Sequence, residues 1–405
     1  MYPVFNEQNI EKLEKLFHFL KKNNLYYRNI LRDFKGFLNM EDFFKLPFLT
    51  REDVYLFGLS GNKSLLSEGL KISYVFSTGG TTGKSKYVAY TLQEFEEVCN
   101  YLYICYEGIE EKDWVANLFM AGNMWASFLF VNKTLEKFKC TILPISGNTD
   151  TNLIKQYLKQ FKSNCIIGIP TQIKQVLTHE ILQENFVKKI FYGGESFLPE
   201  EIEFLKKNGC EFIKSGGYAS VDADIIGYQC KHLENNFHHI FENHQIVEII
   251  DVENGLNIWE EDKPGEVVVT NLDRYLTPVV RYKTGDLAKW VNSKCGCNKL
   301  TIQLLGRYDE WIRLASYDFY YQDFAKAFHP YNITLKINKS KNLVKVLVEE
   351  KSLNQEKLDL ERITEKLKEI NWQLKEGLEE NLIKIEIIFV NELPRTNKKI
   401  NVIYE

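Results

Sequence analysis

What most constrains the fold of this chain is an alternation that begins near residue 72. Short β-rich runs end in turn residues: KISYVF before STGG, CTILPI before SGNTD, NCIIGI before PTQ, and KKIFY before GGES. Helix-like stretches such as 152–161 and 199–208 lie between them. Strands separated by helices predict α/β layers. Residues 245–271 read differently. There QIVEIIDV, NIWEE and EVVVTNL are divided by turns at Glu253-Asn254-Gly255 and Lys263-Pro264-Gly265, which predicts hairpin strands of a smaller β unit. Upstream, Ile10, Leu13, Leu16, Phe17 and Leu20 recur at helical spacing, so 7–34 reads as one or two amphipathic helices. The tail shows a strand pattern at 333–349, a charged helix near 354–376, a strand IEIIFV and a polar-basic end, LPRTNKKINVIYE. Two domains are expected, 1–306 and 307–405.

Composition excludes several classes. With 51 basic against 55 acidic residues the net charge is −4, which argues against electrostatic nucleic-acid binding. No apolar run approaches the ~20 residues of a membrane span. The N-terminal stretch is studded with Glu and Lys and lacks a signal-peptide core, so a cytoplasmic location and no membrane partner are expected. Eight cysteines in 405 residues suggest reduced thiols or metal ligands, not a disulfide scaffold.

The sharpest local signal is Ser77-Thr78-Gly79-Gly80-Thr81-Thr82-Gly83-Lys84-Ser85-Lys86, directly after a strand-like run. Glycines let backbone amides approach phosphate oxygens, and hydroxyls and lysines add donors. A flexible Ser/Thr/Gly turn would have the same composition. A Walker loop would need glycine at Thr78, so that reading fails.

The loop resembles the phosphate-binding loop of the adenylate-forming superfamily (acyl-CoA synthetases, adenylation domains, luciferases), with Ser85 where relatives carry proline. Further segments follow in the order of its phenylacetate–CoA ligase branch. Leu46-Pro47-Phe48-Leu49-Thr50-Arg51-Glu52-Asp53 and Gly168-Ile169-Pro170-Thr171 resemble structural segments of that branch. Tyr192-Gly193-Gly194-Glu195 resembles the stretch that packs along adenine. Tyr218-Ala219-Ser220-Val221-Asp222 resembles the segment whose acidic residue contacts Mg²⁺, which makes Asp222 a shorter counterpart. Arg281-Tyr282-Lys283-Thr284-Gly285-Asp286 resembles the segment whose aspartate holds the ribose hydroxyls. Gly306-Arg307-Tyr308-Asp309-Glu310 resembles the interdomain hinge, with Asp309 as pivot. Pro394-Arg395-Thr396-Asn397-Lys398-Lys399-Ile400 resembles the segment of the adenylation lysine, which selects Lys399, with Lys398 in place of glycine.

The resemblance spans residues 46–400. It implies an α/β fold: a large N-terminal adenylate-forming domain of α/β layers with a small β subdomain, and a small C-terminal α+β domain on a hinge. It also implies activation of a carboxylic acid by ATP and Mg²⁺. Catalysis would be mainly positioning and electrostatic stabilisation. Lys399 would neutralise the α-phosphate and carboxylate oxygens, and Thr81, Thr82 and Lys86 would hold the outer phosphates. A solvated surface lysine is the alternative for Lys399.

Cys230, His238 or His239, Cys295 and Cys297 could supply three thiolates and an imidazole to tetrahedral Zn²⁺. The alternative is small buried apolar thiols, the reading given to Cys99, Cys105, Cys140, Cys165 and Cys210. Many phenylacetate-type ligases carry such a Cys, His, Cys-x-Cys order, and alignment on Glu242 selects His239; the zinc would be structural. By position in the family, the stretch around Asn123 and Trp125 would line the carboxylate pocket, with Gly193, Gly194 and Ala219 as its floor. That strip suits an aryl carboxylate or a medium acyl chain. The acceptor thiol would belong to CoA or to an acyl or peptidyl carrier protein. Ser316 replaces a family glycine near the thiol path, which leaves the acceptor open. The departures at Ser85, Asp222, Ser316 and Lys398 also admit a second reading, a nucleotide-binding relative without catalysis that acts as a partner protein. Retained Lys86, Asp286, Arg307 and Lys399 favour the enzyme.

Overall fold

The computed structural model describes residues 5–36, 40–78, 86–293, 295–314, 317–350, 359–394 and 401–404. They divide into two compact units. The first runs through most of the chain to Gln303; the second takes in 285–288 and the chain from Leu304 onward.

In the first unit the N-terminal helix Glu7–Asn23 is started by a reciprocal cap between Asn6 and Asn9. It turns Leu13, Leu16, Phe17 and Leu20 inward, and the short helix Leu25–Ile30 follows at once. The central sheet has five parallel strands in the order Thr141–Leu143, Trp114–Asn117, Cys165–Gly168, Lys189–Tyr192, Phe212–Ser215. One apolar layer includes Phe95, Phe130 and Phe191, the other Leu158, Ile173 and Leu205. A sheet covered on both faces selects continuous apolar strands, and all four residues of Cys165–Gly168 are buried. Trp114–Asn117 and Phe212–Ser215 escape sequence reading because each is short and interrupted by a polar side chain, Asn117 or Lys214.

A second sheet has seven strands in the order Gln245–Ile250, Gly265–Asn271, Tyr282–Trp290, Thr301–Arg307, Phe237–Ile240, Asp224–Tyr228, Tyr218–Ser220. The expected hairpin runs at its edge, from Gln245 opposite Asn271 to Ile250 opposite Glu266. NIWEE is not a strand; it touches Ile250 through an isolated bridge at Asn257. A separate antiparallel hairpin joins Tyr74–Thr78 to Lys86–Tyr90, with Thr78 opposite Lys86. The glycine-rich loop connects these two strands, and residues 79–85 lie outside the described ones.

The second unit is built on a four-stranded sheet in the order Lys384–Val390, Leu343–Glu349, Ile333–Asn338, Val402–Tyr404. Phe319, Phe324, Phe328, Ile337, Val346 and Leu374 form its core. In place of one charged helix near 354–376 there are two, Leu360–Ile370 and Trp372–Glu379. Asn371 divides them: its side chain accepts from the amides of Gln373 and Leu374 and restarts the helix. The polar-basic end closes with a strand, where Val402 pairs in parallel with Leu335.

Candidate active site

Lys86 opens the strand Lys86–Tyr90 and is 2% exposed. Its Nζ lies 2.6 Å from Asp222 Oδ2, and the Tyr282 hydroxyl donates to the same oxygen at 2.7 Å. Lys86 also donates to the Tyr282 hydroxyl at 3.3 Å. Asp222 is itself 8% exposed. Its other oxygen, Oδ1, is buried with no hydrogen-bond partner among the described residues. A buried carboxylate oxygen left bare is costly unless a cation or donor is meant to meet it.

The turn that carries Asp222 is held by side chains. The Tyr90 hydroxyl donates to Val221 O at 2.9 Å and also meets the Asp224 carboxylate. Ala223 O accepts from Gln245 at 2.7 Å and Asn271 at 3.0 Å, while the Ala223 amide donates to Ser220 Oγ at 3.0 Å. Asp224 adopts the left-handed region, φ 65°, and is matched by Arg274 at 2.5 Å. Burial pushes the Asp224 carboxyl up, an effect that Arg274 opposes. The Arg274 guanidinium also stacks 3.8 Å from the Tyr90 ring centre. Sequence reading missed Tyr90, Arg274 and the role of Tyr282, because no local pattern reports contacts between residues 50 to 196 positions apart.

In the second unit Arg307 Nη1 donates to Asp286 Oδ1 at 2.7 Å. Gly285, just before Asp286, has φ +75°, and a Cβ there would lie 2.9 Å from Arg307 Nη2. Asp309 sits in a single 3-10 turn, Tyr308–Glu310.

Gly193 and Gly194 follow the strand Lys189–Tyr192 at the carboxyl end of the parallel sheet, where open α/β sheets bind ligands. The Gly193 amide donates to Gly168 O at 3.1 Å, and a Cβ there would press on the Phe119 ring at 3.3 Å. Gly194 has φ +77° and open space where a Cβ would stand. The Glu195 carboxylate accepts from the amide and hydroxyl of Thr171, at 3.2 and 2.5 Å. Tyr218 is buried with its hydroxyl 3.5 Å from Thr284 Oγ1, and Ala219 is exposed. Gly122, Asn123 and Met124 are three successive left-handed residues, φ 86°, 48° and 59°. Met124 O accepts from the Ser77 amide at 2.8 Å, so this exposed loop is tied to the end of the hairpin strand; Trp125 is half-buried. Thr78 is described in its backbone alone. Gly79, Gly80, Thr81, Thr82, Gly83, Ser85, Ser316, Lys398 and Lys399 lie outside the described residues.

The structure gathers Cys230, His239, Cys295 and Cys297, with ligand atoms all within 4.8 Å of one another. Successive residues of a strand face opposite sides. On Phe237–Ile240, His239 Nε2 therefore meets Cys295 Sγ at 3.3 Å, while His238 Nε2 meets Ser215 Oγ at 3.0 Å on the other face. His239 Nδ1 bonds Thr301 Oγ1 at 2.8 Å, which fixes the ring and aims Nε2 at the thiols. Ser293 Oγ links Thr301 Oγ1, at 3.1 Å, to Cys295 Sγ, at 3.3 Å. Burial pushes the Cys295 thiol up, but hydrogen bonds led by that of Ser293 outweigh it and hold the thiol below the ordinary range. Cys99, Cys105, Cys165 and Cys210 are buried, Cys140 is half-buried, and burial raises all five thiols.

No protein-family model matches the chain. Among curated proteins it is 25% identical over 334 residues to phenylacetate–coenzyme A ligase of Thermus thermophilus, covering 76% of this chain and 72% of that one. It is 25% identical over 285 residues to the enzyme of the same name from Aromatoleum evansii, covering 68% of this chain and 63% of that one, a little under two thirds. Among solved structures, 2-hydroxyisobutyryl-CoA ligase with a bound acyl-AMP superposes with TM-score 0.77 at 15% identity, over 98% of this chain and 89% of that one. ATP-bound MatB from Rhodopseudomonas palustris gives 0.61 at 14% identity, over 82% and 66%. The acyl acid amido synthetase AtGH3.15 gives 0.64 at 15%, over 96% and 91%. The fold is that of the adenylate-forming enzymes. In sequence the chain is similar to phenylacetate–CoA ligases.

Proposed function

We propose that the chain activates a carboxylic acid, of aromatic class, with ATP and transfers the acyl group to the thiol of CoA. The observation that carries this reading is the buried pairing of Lys86 with Asp222 beside a bare carboxylate oxygen. In the first step a carboxylate oxygen of the acid attacks the α-phosphorus of ATP. The bond to the bridging oxygen breaks, and pyrophosphate leaves. In the second step the thiolate sulfur attacks the acyl carbon, the acyl–phosphate bond breaks, and AMP leaves. Thr81, Thr82 and Lys86 hold the outer phosphates, Asp286 accepts from the ribose hydroxyls with Arg307 beside it, and Lys399 neutralises charge at the reacting oxygens. Gly193, Gly194, Tyr218, Ala219, Asn123 and Trp125 shape the adenine and acid pockets, and Asp309 is the pivot.

Asp222 Oδ1 fits Mg²⁺, a hard cation that takes carboxylate oxygens. When bound, it would spread the charge of the phosphate oxygens. The cluster of Cys230, His239, Cys295 and Cys297 fits a structural Zn²⁺, because four protein ligands leave no open position and Thr301 already orients the imidazole.

The test is pyrophosphate release with ATP, Mg²⁺ and a panel of aromatic, hydroxy-aromatic and aliphatic acids, each with and without CoA. Release that depends on one aromatic acid and rises with CoA is expected. A rate indifferent to CoA would move the acceptor to a carrier-protein thiol or an amine. No release with any acid, together with no ATP binding, would overturn the reading.

A further inference from the structure

Lys86 and Asp222 form an ion pair that is almost wholly buried, with side-chain exposures of 3% and 10%. Paired this way, the carboxylate needs no other positive partner, since one ammonium already neutralises it. The Tyr282 hydroxyl donates to the same oxygen as Lys86, and its ring lies 5.6 Å from the ammonium. Both donors therefore crowd Oδ2 and leave Oδ1 bare. Lys86 is also the first residue after the glycine-rich loop, so its long side chain lies within reach of either the carboxylate or a phosphate.

We propose that Lys86 serves as a stand-in cation at Asp222 in the nucleotide-free protein, so that a divalent ion binds there only together with a nucleotide triphosphate. This rests on the assignment of Asp222 as the metal-binding residue. Without nucleotide, a dication approaching Oδ1 meets a neutral, buried pair and must repel an ammonium held at 2.6 Å from the neighbouring oxygen. The outer phosphates supply a competing anion for Lys86. Once the ammonium turns to them, Asp222 is left as a buried, unpaired carboxylate, and a dication shared with the phosphates restores its charge balance. Tyr282 keeps its bond to Oδ2 throughout and holds the carboxylate in the orientation that presents Oδ1. The shorter reach of Asp222 makes this retention matter, because aspartate has one rotatable bond fewer than glutamate with which to search for the ion.

The experiment is Mn²⁺ binding followed by water-proton relaxation, on protein whose cysteine cluster is already loaded with zinc. Wild type should take up no Mn²⁺ at this site without nucleotide and about one equivalent with a non-hydrolysable ATP analogue. Lys86→Met should bind about one Mn²⁺ without nucleotide, at least tenfold more tightly than wild type, and adding Asp222→Asn should abolish that gain. Lys86→Gln is the second variant if Met disturbs folding, which circular dichroism would show. Nucleotide-free, Asp222-dependent Mn²⁺ binding by wild type as tight as that with the analogue would overturn the proposal. So would folded Lys86 variants that gain no nucleotide-free binding. Either of these results leaves Asp222 as a metal residue. Absence of Asp222-dependent Mn²⁺ binding even with the analogue would overturn the proposal and the metal assignment together.

Discussion

At Gly285 a missing methyl group leaves room for the Asp286–Arg307 pair. The residue sits at φ +75°, a conformation that costs an L side chain roughly 1–2 kcal/mol. A Cβ would also stand 2.9 Å from Arg307 Nη2, so the guanidinium that pairs with Asp286 would have to shift. Gly285→Ala is expected to weaken ATP binding by about tenfold, the effect of ~1.4 kcal/mol, with a modest fall in Tm; calorimetric titration with an ATP analogue would check it. The same scale explains the two adjacent histidines. A one-residue step along a strand sends His238 to Ser215 and His239 to the thiols. The resemblance to phenylacetate-type ligases points to His239; only the pleat shows why its neighbour faces away.

At the scale of elements, the parallel sheet is pinned at one end by Asp113. Its carboxylate, just before the strand Trp114–Asn117, accepts from Lys189 and the Asn164 side chain, at the starts of the two next strands, each at 2.8 Å, and from the Glu110 amide at 2.8 Å. Burial pushes the Asp113 carboxyl up, but the bonds led by that of Lys189 outweigh it and hold it below the usual carboxylate range. The folded state therefore gives up this proton more readily than the unfolded state. The stabilisation is present above the unfolded value near pH 4 and is lost as pH falls through the lower folded value. Asp113→Asn should cost roughly 2 kcal/mol at neutral pH, and urea melts should show a shallower loss of stability below pH 4 than in wild type. The metal cluster likewise joins separate elements: Cys230 follows the strand Asp224–Tyr228, His239 lies in the next strand, and Cys295 and Cys297 lie in the loop before Thr301–Arg307. Cys295→Ser should lower zinc from about one equivalent to near none by plasma emission analysis, and reduce Tm by several degrees. Protein purified without chelator and found free of metal would overturn the zinc assignment.

At the scale of the whole molecule, the residues proposed to hold ATP come from distant stretches of the chain: Lys86 and Asp222, then Asp286 and Arg307. Lys399 comes from the last segment of the chain. Binding and chemistry are then separable. Lys399→Ala should leave the ATP Kd within about twofold while lowering acid-dependent pyrophosphate release by roughly 10²–10³-fold or more, the scale of losing one electrostatic group at a reacting centre. Equal release by both proteins would show that another residue does this work. Among the described residues no helix is long and apolar enough to cross a membrane.

The sequence by itself determined the layer pattern and the order of the motifs, because turn residues and apolar periodicity are local properties of the chain. Its residue spacing offered Cys230, Cys295 and Cys297 with either His238 or His239, and resemblance to phenylacetate-type ligases pointed to His239. Phe212–Ser215 was not legible, since a four-residue strand carrying Lys214 is made by its neighbours and not by its own composition. Nor was the split of the charged helix at Asn371, where one side-chain cap outweighs continuous helical periodicity. Only the tertiary structure decided that Tyr282 and Lys86 share one oxygen of Asp222, that Arg274 and Tyr90 brace its turn, and that Thr301 aims His239. These contacts join residues 50 to 136 positions apart, from Arg274 with Asp224 to Lys86 with Asp222. Hydrogen-bond geometry across such separations depends on how strands register and sheets pack, and no residue's immediate neighbours encode it.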